Sequence, residues 1–231
     1  MSYFWMEVFF NFMVFSIGGW IVQGLYVGIG NHQLFKNTGF MYGPWVPIYG
    51  FGALLVKYVI EPFGSGFLYV FAASFLLCSV LEYFTSWAME KLFHRLWWDY
   101  SKRPFNIHGR VCLLNSTLYG IGGVVIGWID PWVLDVMKSM SLMSVGIAEV
   151  LFAMLFVSDL ALTVFHMVQV RSAVHVLHHT HLTLGMHNHA SLKAAALVQA
   201  DRHKKVFPAA QWSAPYRQSV EHMLKKANRT A

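Results

Sequence analysis

Long apolar segments separated by short polar ones dominate the first 170 residues of the chain. A helix that crosses a membrane needs about 20 consecutive, mostly apolar residues. We predict one such helix in each of five segments: 3–29, 42–60, 66–89, 111–129 and 143–170. The pattern therefore predicts an all-α fold, a polytopic membrane helix bundle with about five transmembrane helices.

The composition agrees with this interpretation. Hydrophobic residues make up 56% of the chain and charged residues only 12%, with a mean hydropathy of +0.47. Soluble domains carry about 25% charged residues, and disordered chains are poor in aromatic residues, whereas 16% of this chain is aromatic. An ordinary soluble enzyme and a disordered chain are both excluded, and the lipid bilayer is the expected partner.

Charge is distributed unevenly along the chain. Residues 171–231 hold nine of the 17 Lys and Arg residues, against two acidic residues, Asp201 and Glu221. We therefore predict two domains, a membrane helix bundle over 1–170 and a basic, His-rich tail over 171–231. The tail contains no known nucleic-acid reading motif, so no nucleic-acid partner is expected.

Basic residues in the short loops predict the orientation. Lys and Arg are retained on the cytoplasmic side of a membrane, and they concentrate in segments 30–41 and 90–110 and in the tail. Five helices place these three segments on one side. We predict a multi-pass protein of the cell membrane with its N-terminus outside and its C-terminus in the cytoplasm.

Four glycines and two prolines interrupt the chain over 39–52, where the second predicted helix begins. One interpretation is a tight turn at the membrane surface, with Tyr42, Trp45 and Tyr49 as aromatic anchors at headgroup level. The other is a broken helix that lines a substrate path, as in transporters. Farther along this segment, Lys57 is expected to extend its ammonium group towards the membrane surface.

Polar residues within and beside the later apolar segments are the candidates for a substrate site. Glu82, Ser86 and Glu90 follow one another at i, i+4 spacing, which predicts one helix face. Glu82 lies roughly 12 Å from the inner end of its predicted helix. An unpaired carboxylate at such a depth is expensive, so this face is expected to point into the bundle.

The loop after that helix supplies three more candidates. Asp99 can accept from backbone groups or from Arg103 and Arg110, and Asn106 is a typical turn residue. We predict that Arg110 pairs with Glu90 or Asp99, or holds an anion, because a guanidinium can form two parallel hydrogen bonds with a carboxylate or a phosphate. A pinned interfacial loop is the structural alternative, and it is compatible with an anion site.

Asp159 in the fifth predicted helix is expected near the same depth as Glu82. Two acidic residues at one level can share a proton, bind a cation or line a polar path. Alternatively, each bonds separately to Ser, Thr or Tyr hydroxyls on neighbouring helices.

The tail opens with six histidines in fifteen residues. His175, His178 and His179 have helical spacing that suits a metal ion, although solvated imidazoles are the alternative. Residues 215–227 predict a short basic amphipathic helix. No cofactor is predicted, and Cys78 and Cys112 are expected to be unpaired thiols.

Several motifs together resemble a known family. They are YGPWVPIYGFG from Tyr42, LEYFTSWAMEKLF from Leu81, WWDYS from Trp97 and PFNIHGRVCL from Pro104. They are similar to those of bacterial multi-pass membrane proteins classed as ABC-transporter type IV, formerly a domain of unknown function. The resemblance covers about 5–130 and implies a membrane topology and a role in transport.

No phosphate-binding GxxxxGK[ST] loop occurs in the chain, so a transporter of this kind would need its ATPase on a separate chain. No nucleophile elbow or HExxH helix occurs either, which favours a protein that is not an enzyme. We therefore expect a permease-like subunit without its own ATPase. The alternatives are a membrane-embedded enzyme that acts on a lipid or phosphorylated headgroup, and a noncatalytic membrane adaptor.

Overall fold

A computed structural model of the chain describes residues 3–183 and 211–212, with side chains described up to 168. Helix α1 spans Tyr3–Gly30, α3 spans Phe67–Phe93, α4 spans Leu113–Ser139 and α5 spans Leu142–Thr183. Each contains a stretch long and apolar enough to cross a membrane, which in α5 is Leu142–Val168. These four helices confirm the predicted membrane bundle.

The second predicted helix differs from the other four. Helix α2 covers only Pro47–Leu55, and it continues as a π-helix over Val56–Ile60 and a 3-10 turn over Glu61–Phe63. The prediction that a regular helix spans 42–60 is therefore wrong. Pro47 sits in the first turn of α2, where its missing N–H does no harm, and the glycines before it do not continue a helix backwards.

Residues 31–46 run back along α1 without forming a helix. Gln33 N donates to Gly28 O at 2.9 Å and Lys36 N to Gly24 O at 3.0 Å. Val46 N then donates to Ser16 O at 2.9 Å. Ser16 lies at the midpoint of the 28-residue α1. At 1.5 Å per residue, Ser16 is about 20 Å from either end of that helix.

The helical part of this segment continues towards the start of α1. The Tyr49 ring lies against Gly19, where a Cβ atom would overlap it, and the Tyr58 hydroxyl donates to Glu7 Oε1 at 3.1 Å. Residues 31–63, the second segment, thus follow α1 along most of its length, extended in the first half and helical in the second. The five passes expected from the sequence therefore become four long helices and one broken segment.

The loop after α3 contains three of the four short strands in the described part of the chain. Strand β1, Arg95–Leu96, pairs antiparallel with β4, Gln211–Trp212, and β2, Asn106–Ile107, pairs antiparallel with β3, Val111–Cys112. In the β2–β3 turn, Asn106 Oδ1 accepts from Gly109 N at 3.0 Å, and Gly109 has φ of +70°. Asn106 is thus a turn residue, as its type predicts.

The chain divides into two compact units, one formed by Met1–Thr85 and Asp99–Leu160, the other by Ser86–Trp98 and Ala161–Ala231. Helix α5 continues through residue 170, where we predicted the tail to begin. In the first unit, aromatic and apolar side chains form the main core around Phe12, Met41, Trp45 and Phe152. Both cysteines are unpaired, as expected.

Candidate functional site

Asp159 holds the non-helical part of the second segment. Its Oδ1 accepts from Tyr42 N at 3.1 Å, and its Oδ2 accepts from Gly43 N and from the Trp45 indole Nε1, both at 2.8 Å. A bilayer interior offers no water to such N–H groups, so irregular backbone at that depth requires protein partners. The carboxylate of Asp159 provides them for the break that precedes α2.

Aromatic rings enclose this contact. The Trp45 ring centroid is 5.5 Å from that of Phe152 and 6.0 Å from that of Phe156, and Phe12 packs edge-on against Phe156 at 5.7 Å. Trp45 is buried, and Asp159 is only 9% exposed. Trp45 therefore packs inside the bundle, whereas the Tyr42 side chain is exposed, and both interpretations of 39–52 stay predictions.

Glu82 forms a second, separate polar site. The hydroxyls of Tyr119 in α4 and Tyr100 in the loop both donate to its Oε1, the latter at 3.3 Å. Asn115 Nδ2 in turn donates to the Tyr100 hydroxyl at 2.6 Å. Glu82 is 3% exposed, and its second oxygen, Oε2, has no hydrogen-bond partner. We call these four residues the Glu82 site.

Tyr100 remains a hydrogen-bond donor in this setting. Burial, followed by the nearby Glu82 carboxyl group, raises the pKa of Tyr100 well above its ordinary value. Its phenol therefore keeps its proton at any physiological pH. The hydrogen bond that it donates to Glu82 does not depend on pH in that range.

The structure gives Glu82 and Asp159 different partners. Glu82 accepts hydrogen bonds from two phenols, whereas Asp159 accepts from two backbone amides and an indole. The alternative of separate bonds to hydroxyl groups fits Glu82, whereas the bonds to Asp159 described here come from N–H groups. Ser86 is also buried, one turn farther along α3, and Glu90 is half-buried.

Of the remaining loop candidates, Arg110 lies beside Tyr83 and Asp99 beside Ser101. Arg110 Nη1 donates to the Tyr83 hydroxyl at 3.3 Å, and the guanidinium lies 5.3 Å from the centre of that ring. The same hydroxyl is 2.9 Å from His108 Nδ1. Asp99 accepts from the backbone N of Ser101 at 3.0 Å, as one of its predicted roles requires. Pairing of Arg110 with Glu90 or Asp99 stays a prediction.

Besides the sites at Asp159 and Glu82, the structure contains a cluster of paired charges that we did not predict from the sequence. Lys57 Nζ lies 3.0 Å from Glu7 Oε1 and 2.8 Å from Asp130 Oδ2, and its side chain is only 12% exposed. The expectation that Lys57 extends to the membrane surface is therefore wrong. A signal was present in the sequence, because Glu7, Lys57 and Asp130 are isolated charges in three apolar segments, and such charges tend to pair.

Metal binding finds no support among the described side chains. No group of three or more His, Cys, Asp or Glu residues in that part of the chain is arranged to hold a metal ion. The backbone at His175, His178 and His179 is helical, but their side chains lie outside the described set. The predicted amphipathic helix over 215–227 also lies outside the described residues.

Comparison with known proteins now adds a family. A family model described as "Putative ABC-transporter type IV" matches residues 10–164, which is more than half of the chain. The chain belongs to this family. Residues 10–164 of this ABC-transporter type IV protein include all of the residues described here around Asp159 and Glu82, whereas Glu7 lies outside them. No curated protein and no solved structure matches the chain.

Family membership and the four long apolar helices together establish a multi-pass membrane protein of a transporter-type family. The resemblance read from the sequence motifs is thereby confirmed. The family match does not identify a substrate.

Proposed function

We propose that this protein is a permease-like subunit that moves a substrate across the cell membrane and works with an ATPase on a separate chain. The observation that carries the proposal is the break in the second segment, where Asp159 binds two backbone amides and the Trp45 indole. Membrane proteins keep non-helical backbone at depth where it is buried in protein or lines a path, and transporters often place their binding sites beside such breaks.

Two further features fit a transport role. Glu82 carries a buried oxygen without a hydrogen-bond partner, so a polar group is available inside the bundle. The π-helix that follows α2 is a second irregularity in the same segment, and such bulges are frequent at functional sites. A segment with two irregularities has more ways to rearrange than a continuous helix.

The orientation and the energy source are parts of the same proposal. The basic loop over 90–110 and the tail face the cytoplasm, because Lys and Arg are retained there. The ATPase would meet the protein on that side. It must be a separate chain in this proposal, since the sequence contains no phosphate-binding loop of the GxxxxGK[ST] type.

Purification of the full chain from detergent-solubilised membranes tests the proposal. We expect an ATPase with such a loop to copurify in a fixed ratio, and its ATP hydrolysis in liposomes to depend on this chain. Ser158→Ala, a change at an exposed position next to Asp159, is the control variant. It should still copurify with the ATPase and support its ATP hydrolysis.

Two results would contradict the proposal. The first is a chain that purifies at full yield, with no nucleotide hydrolase bound. The second is covalent change of a lipid by the purified chain alone, which would establish the alternative of a membrane-embedded enzyme. Mass spectrometry of proteins and lipids in one preparation distinguishes these results.

A further inference from the structure

We propose that Glu82 is a binding site for a monovalent cation, a proton or an alkali ion, and that the cation binds at Oε2. The proposal concerns the carboxyl group itself, and it stands whether or not the chain is a permease. It deepens the proposed function if the same cation is coupled to transport.

The two oxygens of Glu82 have unequal surroundings. Oε1 accepts from both the Tyr119 and the Tyr100 hydroxyls, whereas Oε2 is buried and has no hydrogen-bond partner. An ionised carboxylate accepts about four hydrogen bonds over its two oxygens. The protein thus supplies hydrogen bonds to Oε1, and Oε2 is left to bind a cation.

The groups that face the carboxyl group do not neutralise it. They are the phenols of Tyr49 from the second segment, Tyr100 from the loop and Tyr119 from α4, with the Asn115 amide, which donates to Tyr100 and also lies within hydrogen-bonding reach of Glu82. All are uncharged at neutral pH. A carboxylate that is 97% buried among uncharged groups carries a large desolvation cost, which a bound cation removes.

Asp159 shows the opposite arrangement within the same unit of the chain. Both of its oxygens accept from N–H donors, at 2.8 to 3.1 Å. These bonds form only while neither oxygen carries a proton that takes the place of a donor. A proton on Oδ2 would disrupt the bonds from Gly43 and Trp45. A proton on Oε2 of Glu82 disrupts none of the bonds described there, because both phenols donate to Oε1.

Thermal unfolding of the full chain in detergent, followed at several pH values, tests the proposal. Glu82→Gln places a neutral amide where the cation-loaded carboxyl group would be. We expect the Tm of the unmodified chain to fall relative to Glu82→Gln as the pH rises, because the folded state then retains an uncompensated charge. While the folded state holds a proton that the unfolded state has released, the loss should be about 3 to 5 °C per pH unit, and the Tm difference should level off once the folded state has released it too.

The choice of salt distinguishes the two cations. Sodium or potassium chloride should restore the Tm at high pH if an alkali ion binds, and choline chloride should not. If the site takes only a proton, all three salts should leave the fall unchanged. A Tm difference that is independent of both pH and salt would overturn the proposal.

Asp159→Asn is the matched control, since the difference in Tm between this variant and the unmodified chain should be constant over the same pH range.

A second measurement needs no variant to fold. Dicyclohexylcarbodiimide reacts with protonated carboxyl groups in apolar surroundings, and peptide mass spectrometry should find it on Glu82, with less modification at higher pH. Modification of Asp159 without modification of Glu82 would contradict the proposed site.

Discussion

Replacing Asp159 by alanine removes the acceptor of three hydrogen bonds and leaves three donors, the buried Trp45 indole and two part-buried backbone amides. These donors are Tyr42 N, Gly43 N and Trp45 Nε1, at 3.1, 2.8 and 2.8 Å from the carboxylate. Each unsatisfied buried donor costs about 1 to 3 kcal/mol. We therefore expect Asp159→Ala to lower the free energy of unfolding by about 3 to 9 kcal/mol, which is enough to prevent accumulation of many folded proteins.

Asp159→Asn is the milder change. The amide keeps one oxygen, which can still accept from Gly43 and Trp45, but its NH₂ group then faces Tyr42 N, also a donor. We expect a loss of about 2 to 4 kcal/mol, since hydrogen bonds to a charged group are worth about 1.5 to 3 kcal/mol each. Trp45→Phe removes a single donor and should cost less.

The assay is thermal unfolding of the purified chain in detergent, with abundance in membranes as a second readout. Ser158→Ala is the control, because Ser158 is exposed on α5 beside Asp159. Combined with Asp159→Asn, Trp45→Phe should cost less than the sum of the single changes, since the bond from Trp45 is already weakened when its acceptor loses its charge. Strict additivity, or an Asp159→Ala protein as stable as Ser158→Ala, would refute the reasoning.

Three further predictions concern other parts of the first unit. Lys57→Met leaves Glu7 and Asp130 without their cation and should cost about 3 to 5 kcal/mol in unfolding free energy, partly recovered by adding Asp130→Asn; full stability of Lys57→Met would contradict the pairing. Arg110→Lys should fold normally but lose transport if Arg110 holds an anionic group, because an ammonium cannot form the two-pronged contact; full transport would remove that role. Gly109→Ala should lose about 1 to 2 kcal/mol because Gly109 has φ of +70°, and an unchanged Tm would show that the turn adapts.

The sequence predicted most of the helices because each is a long apolar run. Helices α1, α3, α4 and the start of α5 lie close to the predicted segments, and the resemblance to the family was confirmed. The second segment could not be predicted in full. Its glycines and prolines indicate a break, but they do not show that 31–46 would run back along α1 to Ser16.

The partners of the buried charges were harder to predict than the charges themselves. The depth of Glu82 indicated that its helix face points into the bundle, and Glu82 is buried, as is Asp159. Asp159, however, binds backbone N–H groups more than a hundred positions away, and backbone amides carry no sequence signal. Lys57 was misinterpreted because Glu7 and Asp130 lie in other apolar segments, 50 and 73 positions from it.

The central claim is that the second segment crosses the membrane as a broken helix. Leu34 lies near the start of this segment and Ser65 just after its end, and both are exposed. Single cysteines at these positions can be labelled with a membrane-impermeant maleimide, and the unmodified chain is the blank because Cys78 is half-buried and Cys112 is buried. We predict that intact cells label Ser65→Cys, and that Leu34→Cys reacts only after permeabilisation. Labelling of both from the same side would contradict the crossing.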